Sequence, residues 1–387
     1  MTTTATVEVA PAVLRWAREH SSVTLADAAA RCEHSSDELA SWEAGTAEPS
    51  LTALRKLAHY YGVPLSVFLL SEPPKVPARP VDLRAFAGVV KPEPGVDLAK
   101  ALNRASALQS LARDLLAETG APEFAPGQDE QGDAESLADA QRGLIGVSVA
   151  EQRKWRDERA ALRAWRMAIE RRGVFVLQLP MSKTEVRAFS LSQPPPIIVL
   201  NQSDFVRSRV FSLLHEYAHV LLGTGAICMP GSGRRAMEQA AAVEVFCNRF
   251  AGAFLVPGVA LKADPLAAEI ARAKTVPEDN VLERLGRRFH VSWAVIWYRM
   301  RQLELVSQAV FTKKWADWDW YPMPPEGGGG MTTPERVVAT YGVNLTRLVL
   351  SASGQNVVTL ADAGLYLGFA PWRLGDVELE VASRAAV

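Results

Sequence analysis

Cysteine is nearly absent from this sequence: there are three in 387 residues, Cys32, Cys228 and Cys247. That number and spacing exclude a disulfide framework and fit a reducing, cytoplasmic setting. No stretch approaches the roughly 20 apolar residues of a membrane span, so no membrane partner is expected. The first residues, MTTTATVEVAPAVLRW, lack the basic start and apolar core of a secretory signal. Neither sign of charge is in excess, with 42 Lys and Arg against 43 Asp and Glu. Any hold on nucleic acid must therefore come from a local patch. What remains, 48% hydrophobic and 22% charged, is the composition of a globular chain. At roughly 100–200 residues per domain, its length predicts two or three domains.

Helical periodicity dominates residues 11–70. Leu14, Ala17 and Arg18 fall on one stripe, Leu25, Ala28, Ala29 and Cys32 on a second, and Leu51, Leu54, Leu57 and Ala58 on a third. Thr24 and Ser50 stand where N-caps belong, and Gly45 and Gly62 where helices stop. The pattern predicts a bundle of about five short helices. Prolines through 71–97 prevent a helix and predict an extended linker or docked strap. Helix resumes over 98–119, and the acidic Gly/Pro-rich stretch 120–136 reads as a loop. Residues 150–172 read as one helix with Trp155, Leu162 and Trp165 inside. Short strands are expected at 174–179, 186–191 and 197–201. Apolar helices follow at 205–222 and 236–256, with two or three more over 279–311. The stretch YPMPPEGGGG, 321–330, is a linker before a helical tail with helices near 360–367 and 372–380. The expected fold class is α+β, mostly helical. Its segments are 1–72, a Pro-rich linker and helical connector 73–150, a domain with a small sheet 151–318, and a linker and tail 319–387.

The helix at 205–222 carries His215-Glu216-Tyr217-Ala218-His219. Histidines at i and i+4 lie one turn apart on one face and can aim at a single ion. Glu216, beside the first of them, can take a proton from a water held there without itself binding the metal. The competing reading is two core histidines bonded to backbone beside a surface glutamate. The other histidines, at 20, 34, 59 and 290, do not follow at a ligand spacing, so a carboxylate from a second helix is the expected third ligand. Glu244 lies on a small, apolar stripe with Ala240, Ala241, Cys247 and Ala251, which predicts burial and a need for a cation. Glu238, preceded by Arg234 and Arg235, fits a solvated helix start and is the alternative. Asn248 is one turn beyond Glu244, where it would orient a ligand or serve as a satisfied core amide. Cys228 and Cys247 form no CxxC pair and read as buried core.

The strands GVFVLQLP and AFSLSQPPPIIVLN, with the helices RSRVFSLLHEYAHVLLG and VEVFCNRFAGAFLVP, resemble the ImmA/IrrE family of zinc metallopeptidases. The similarity extends through NVLERLGRRFHVSWAVIWYRMRQLELVS and covers about half the chain. It implies a zincin-like fold and one Zn2+ per chain held by His215, His219 and Glu244, with Glu216 catalytic. It also implies cleavage of a partner regulator, often a DNA-binding repressor of mobile-element or stress genes.

Residues 23–50 resemble an XRE-type, Cro/CI-like helix-turn-helix, with Ser35 capping its second helix. The side chains that would face a DNA groove are Ser35, Ser36, Asp37 and Ser41. The chemistry departs from the pattern, because bases are read by Arg, Lys, Gln or Asn. The usual glutamine position is Leu25, and the loop after the helix holds Thr46 and Ala47. Residues 11–70 carry Arg15, Arg18, Arg31, Arg55 and Lys56 against a larger number of carboxylates. The alternative to DNA is a dimerisation or partner-docking head, a homodimer among them.

Two weaker signals remain. Trp315, Trp318, Trp320 and Tyr321 read as a strap packed on the preceding domain. Arg207 and Arg209 read as helix-start charges, with oxyanion stabilisation as the alternative. Together the motifs predict a cytoplasmic zinc metallopeptidase and transcriptional regulator that cleaves a partner protein. The alternative is a DNA-binding regulator or antitoxin-like partner of a toxin, with a non-catalytic zinc domain. A purely structural zinc is a third reading, disfavoured by an open coordination position.

Overall fold

The computed structural model describes residues 6–21, 23–63, 65–74, 82–84, 95–119, 132–182, 186–224, 234–316 and 330–385. The chain divides into two compact units, one of Met1–Arg79, Arg84–Leu111 and Leu179–Val186, the other of Pro80–Leu83, Ala112–Gln178 and Arg187–Val387. Among the described residues no helix is long and apolar enough to cross a membrane.

The first unit opens with α1 (Pro11–His20), α2 (Leu25–Cys32), α3 (Ser36–Glu43), α4 (Leu51–Tyr61) and a 3-10 turn, Leu65–Leu69. Side chains start three of these helices: Thr24, Ser35 and Ser50 accept from the amides of Asp27, Glu38 and Ala53. Each such cap contributes about 1 kcal/mol. Gly62 stops α4 in the left-handed region, at φ 68°. Leu14, Ala17, Ala28, Leu39, Trp42, Leu54, Leu57 and Phe68 fill the core. At its rim Glu43 is buried and accepts from Arg18 Nε at 2.7 Å and Nη2 at 3.0 Å. Paired this way, both charges keep hydrogen-bond partners that burial would otherwise remove. The long helix α5 (Val96–Thr119) follows.

The second unit is built on α6 (Ala134–Ile145), α7 (Val149–Gln152), α8 (Glu158–Glu170), α9 (Val206–Leu222) and α10 (Arg234–Leu255). They accompany a sheet of β1 (Asp82–Arg84), β2 (Phe175–Leu179), β3 (Ala188–Leu191) and β4 (Ile197–Asn201), in the order β1-β3-β4-β2. Strands β3 and β4 pair antiparallel, Ala188 opposite Leu200 and Leu191 opposite Ile197. Both are buried along their whole length, which is why they read as apolar runs rather than alternating ones. Helix α9 packs on β3 and β4 and also meets α8 and α10, and α10 lies against α6. The chain continues through α11 (Gly258–Lys262), α12 (Pro265–Ala273), α13 (Asp279–Phe289), α14 (Trp293–Gln302) and α15 (Gln308–Ala316). The tail is α16 (Thr333–Tyr341), α17 (Val343–Gly354), α18 (Leu360–Leu367) and α19 (Leu374–Ala385).

Two local expectations need correction. The helix expected over 150–172 is broken, because Asp157 accepts from Ala160 N at 2.7 Å and starts α8 afresh. The break lets Trp155 turn edge-on to Trp165, 5.0 Å between ring centroids. The loop expected to reach residue 136 ends earlier, where Asp133 caps α6 through the amides of Glu135 and Ser136. Of the aromatic strap, Trp315 packs on Trp293 and Phe311; Trp318, Trp320 and Tyr321 lie outside the described residues, as does Cys228.

The tail is latched to α8 by a buried ion pair. Arg166 Nε donates to Glu170 Oε1 at 3.0 Å, and its other nitrogens reach the carbonyls of Val176 and Ala339. Glu170 Oε2 accepts from Val343 N at 3.0 Å, capping α17, whose own N-cap is the side-chain-free Gly342. Gly342 is required there, at φ 81° with Glu170 Oε1 only 2.0 Å from where a Cβ would stand. Replacing Glu170 by Ala leaves Arg166 buried without its carboxylate. The Glu170→Ala protein should lose about 3–5 kcal/mol of stability in urea titration, with trypsin cleavage at Arg336 and Arg347 accelerated.

Candidate metal centre

Helix α9 is apolar almost all round because it is covered by the sheet and two helices, and two of its polar residues, His215 and His219, meet α10. His215 and His219 are 0% and 1% exposed, with their Nε2 atoms 3.2 Å apart. Gly223, at φ 64°, ends the helix and turns the chain so that Thr224 Oγ1 meets His219 Nδ1 at 3.1 Å. That contact fixes the ring and leaves Nε2 directed at the partner histidine.

Helix α10 supplies the third group. Its apolar stripe, Cys247, Phe250, Ala251 and Phe254, belongs to the same core as Leu214, Tyr217 and Ala218 of α9. This packing sets Glu244 Oε2 3.3 Å from His215 Nε2 and Oε1 3.2 Å from His219 Nε2. The three side chains form the one metal-compatible group found among the described residues. Zinc bonds of about 2.0–2.1 Å in tetrahedral array place ligand atoms about 3.3–3.4 Å apart. The observed triangle has those dimensions, so the donor set fits the ion. Electrostatics agree. Burial opposes charge on His219, but hydrogen bonds with Cys247 and Glu244 outweigh it and push the imidazole up to about 12. Burial likewise opposes the Glu244 carboxylate, yet the two imidazoles hold it well below the usual range. The centre is arranged around a positive charge.

Glu244 is half-buried, 37% exposed, rather than enclosed as its stripe predicted. Its carboxylate forms the open side of a triangle whose imidazole corners are buried. Asn248, one turn on, is exposed. Besides Glu244, Cys247 of α10 touches a histidine: it is buried and bonded to His219, its thiol pushed up by burial. The side chain of Glu238 lies outside the description.

Glu216 reaches the sheet. It is 1% exposed, and its Oε2 accepts from Ser190 Oγ of β3 at 2.8 Å. Sequence reasoning missed both Ser190 and Thr224. Ser190 had one signal, a hydroxyl inside an otherwise apolar strand, which needs a buried partner. Arg207 is committed to Glu283 at 2.6 Å and Arg209 Nη1 to Gln178 at 2.6 Å, which supports the helix-start reading.

The far end of α10 is held by three side chains. Arg142 donates to Phe254 O at 2.8 Å, Gln152 to Leu255 O at 3.0 Å, and Arg299 to Val256 O at 2.9 Å. These are the carbonyls a helix leaves without partners at its C-terminus, where cations are also favoured by the helix dipole.

In the first unit, Ser35, Ser36 and Asp37 stand exposed at the start of α3, and Ser41 is half-buried. Ser35 is engaged in a reciprocal capping box with Glu38, and Ser41 Oγ donates to Glu38 O at 2.6 Å. Lys56 is paired with Glu33 at 2.9 Å.

Comparison with known families agrees with both halves. Residues 169–301 match the peptidase M78 model, described as an IrrE N-terminal-like domain, and residues 14–68 match a helix-turn-helix model. No curated protein matches the chain. For the metal centre, wild type should carry about one zinc per chain by elemental analysis. Glu244→Ala should fall below about a tenth of that on dialysis, since second- and first-ligand losses cost 10–100-fold or more in affinity, while Glu238→Ala should retain it.

Proposed function

From a chain that joins an XRE-type helix-turn-helix to an IrrE-like peptidase-family domain, we propose a DNA-binding regulator that cleaves a partner regulatory protein with a zinc-dependent endopeptidase centre. The observation that carries this reading is the triangle of His215, His219 and Glu244, with Glu216 next to His215 in the chain and acting electrostatically on His219. Zinc bound there supplies a Lewis acid that polarises a carbonyl and acidifies water.

The chain's own residues do the rest. His215 and His219 offer Nε2 from one helix face, and Thr224 holds the second ring. Glu244 closes the triangle from α10 and leaves its outer side open to a peptide. Glu216 is the general base: its carboxylate accepts the proton of the attacking water and passes it to the leaving amine. Ser190 donates to one oxygen of that carboxylate and fixes its rotamer. The peptidase-family match supports a protein substrate, and a three-ligand centre with a carboxylate base is suited to amide hydrolysis. Glu216→Gln should keep one zinc per chain and lose cleavage of the partner by about 10²–10⁴-fold. Retained cleavage would overturn the assignment.

On the DNA side, α3 is the recognition helix of this proposal, with Ser35, Ser36, Asp37 and Ser41 nearest the groove. Of the five cations in residues 11–70, Arg18 is tied to Glu43 and Lys56 to Glu33. Arg15 donates to the main-chain oxygen of Glu43, which leaves Arg31 and Arg55 for phosphates. Affinity should therefore fall only gently with salt, with a log–log slope of about −2 or shallower in fluorescence anisotropy. A steeper slope would place cations outside this head on the DNA.

A further inference from the structure

Strand β3 has two edges. Asn201 N donates to Arg187 O at 2.9 Å, which makes that opposed couple a hydrogen-bonded pair. In an antiparallel ladder such pairs alternate, so Phe189 and Leu191 also bond to β4. The main-chain groups of Ala188 and Ser190 then project to the opposite edge. In the sheet order that edge is taken by β1, Asp82–Arg84. Of β1, Asp82 and Leu83 cluster with the second unit. The side chain of Ser190 meanwhile touches Glu216. A polypeptide lying along this edge therefore runs about 4.8 Å from the residue that contacts the general base.

An unpaired strand edge is a template for an extended peptide, and main-chain hydrogen bonds supply its affinity. We propose that Asp82–Arg84 occupies the outer edge of β3 as a built-in competitor for the extended peptide that the metal centre would cleave. A partner reaches Glu216 as an extended segment by displacing this strand from Ala188 and Ser190. The strand is three residues long, so its pairing offers few main-chain hydrogen bonds and the competitor is weak enough to exchange. This inference rests on the peptidase reading for its consequence, though not for its geometry.

The test is amide hydrogen exchange on the full chain, with zinc content measured on the same samples. Two variants weaken the pairing of β1: Leu83→Pro, and replacement of Asp82, Leu83 and Arg84 by glycine. The probe is a synthetic peptide of residues 79–87. In wild type the Ala188 and Ser190 amides should be protected, and in both variants they should exchange at least ten-fold faster, with Phe189 and Leu191 unchanged. The peptide should bind the variants, restore protection at those two amides, and bind wild type at least ten-fold more weakly. Fast exchange at Ala188 and Ser190 in wild type, no change in either variant, or equal peptide binding to wild type and variants would each overturn the competitor. Zinc retained alongside any of those results would leave the peptidase reading standing. Protection that follows the prediction in a protein without zinc would remove the peptidase reading and keep the occupied edge.

Discussion

Everything in the second unit is arranged around one requirement: two buried imidazoles and a carboxylate, all within 3.3 Å of one another, must share a positive charge. Without a cation each Nε2 must carry a proton and donate it to one Glu244 oxygen. A well-packed apolar replacement of such a cluster would be as stable or more so. Stability therefore gives no reason for the cluster, whereas the proposed ion binding gives one. The cost is met by the crossing of α9 and α10, where Tyr217, Ala218, Cys247, Phe250 and Ala251 are fully buried. Alanines at 218 and 251 let the helix backbones approach closely enough for a glutamate to span from one to the other.

Strand β3 serves that centre on two planes. Out of the sheet, Ser190 fixes the Glu216 carboxylate; in the sheet, its neighbouring main-chain groups form an edge. Both follow from the period of two in a strand, which separates side-chain direction from hydrogen-bonding direction. The first unit shows a different economy. Its best cation, Arg18, and its best carboxylate, Glu43, are spent on each other to hold α1 against α3. The exposed start of α3 is left with hydroxyls and acids, so a DNA complex made by this head would draw little on phosphate neutralisation.

Much of this was legible in the sequence, for identifiable reasons. The i, i+4 histidines with an intervening glutamate encode a face of a helix, and α9 appears within one residue of the expected span. Glu244 could be chosen over Glu238 because its stripe is apolar, although the stripe overstated its burial. The caps Thr24, Ser35 and Ser50 were readable because capping is local. Contacts distant in sequence were not readable. Nothing near Ser190 in the sequence points to Glu216, and nothing near Thr224 points to a ring nitrogen one turn back. Trp155 was placed inside a helix because its spacing to Leu162 suited one; Asp157 won, as a capping carboxylate does over propensity. The capping of α17 by Glu170 was invisible for the same reason: the cap is 173 residues away.

Helix α6 shows how far from the metal its geometry is decided. Read as part of a connector, it packs along α10 and carries Arg142, which holds Phe254 O at 2.8 Å. With Gln152 and Arg299 it fixes three successive carbonyls at the end of α10. Arg299 is itself bound to Glu135 at the start of α6, so the anchor is closed on itself. From Leu255 back to Glu244 is about 16 Å of rigid helix. A tilt of about 5° at the anchored end would move the carboxylate by about 1.4 Å, beyond the roughly 0.5 Å that a productive site tolerates. The position of the third ligand is thus set by side chains that come nowhere near the ion. Buried arginine is suited to this work, since it stays charged and offers several donors at fixed angles to carbonyls that a helix end leaves unpaired.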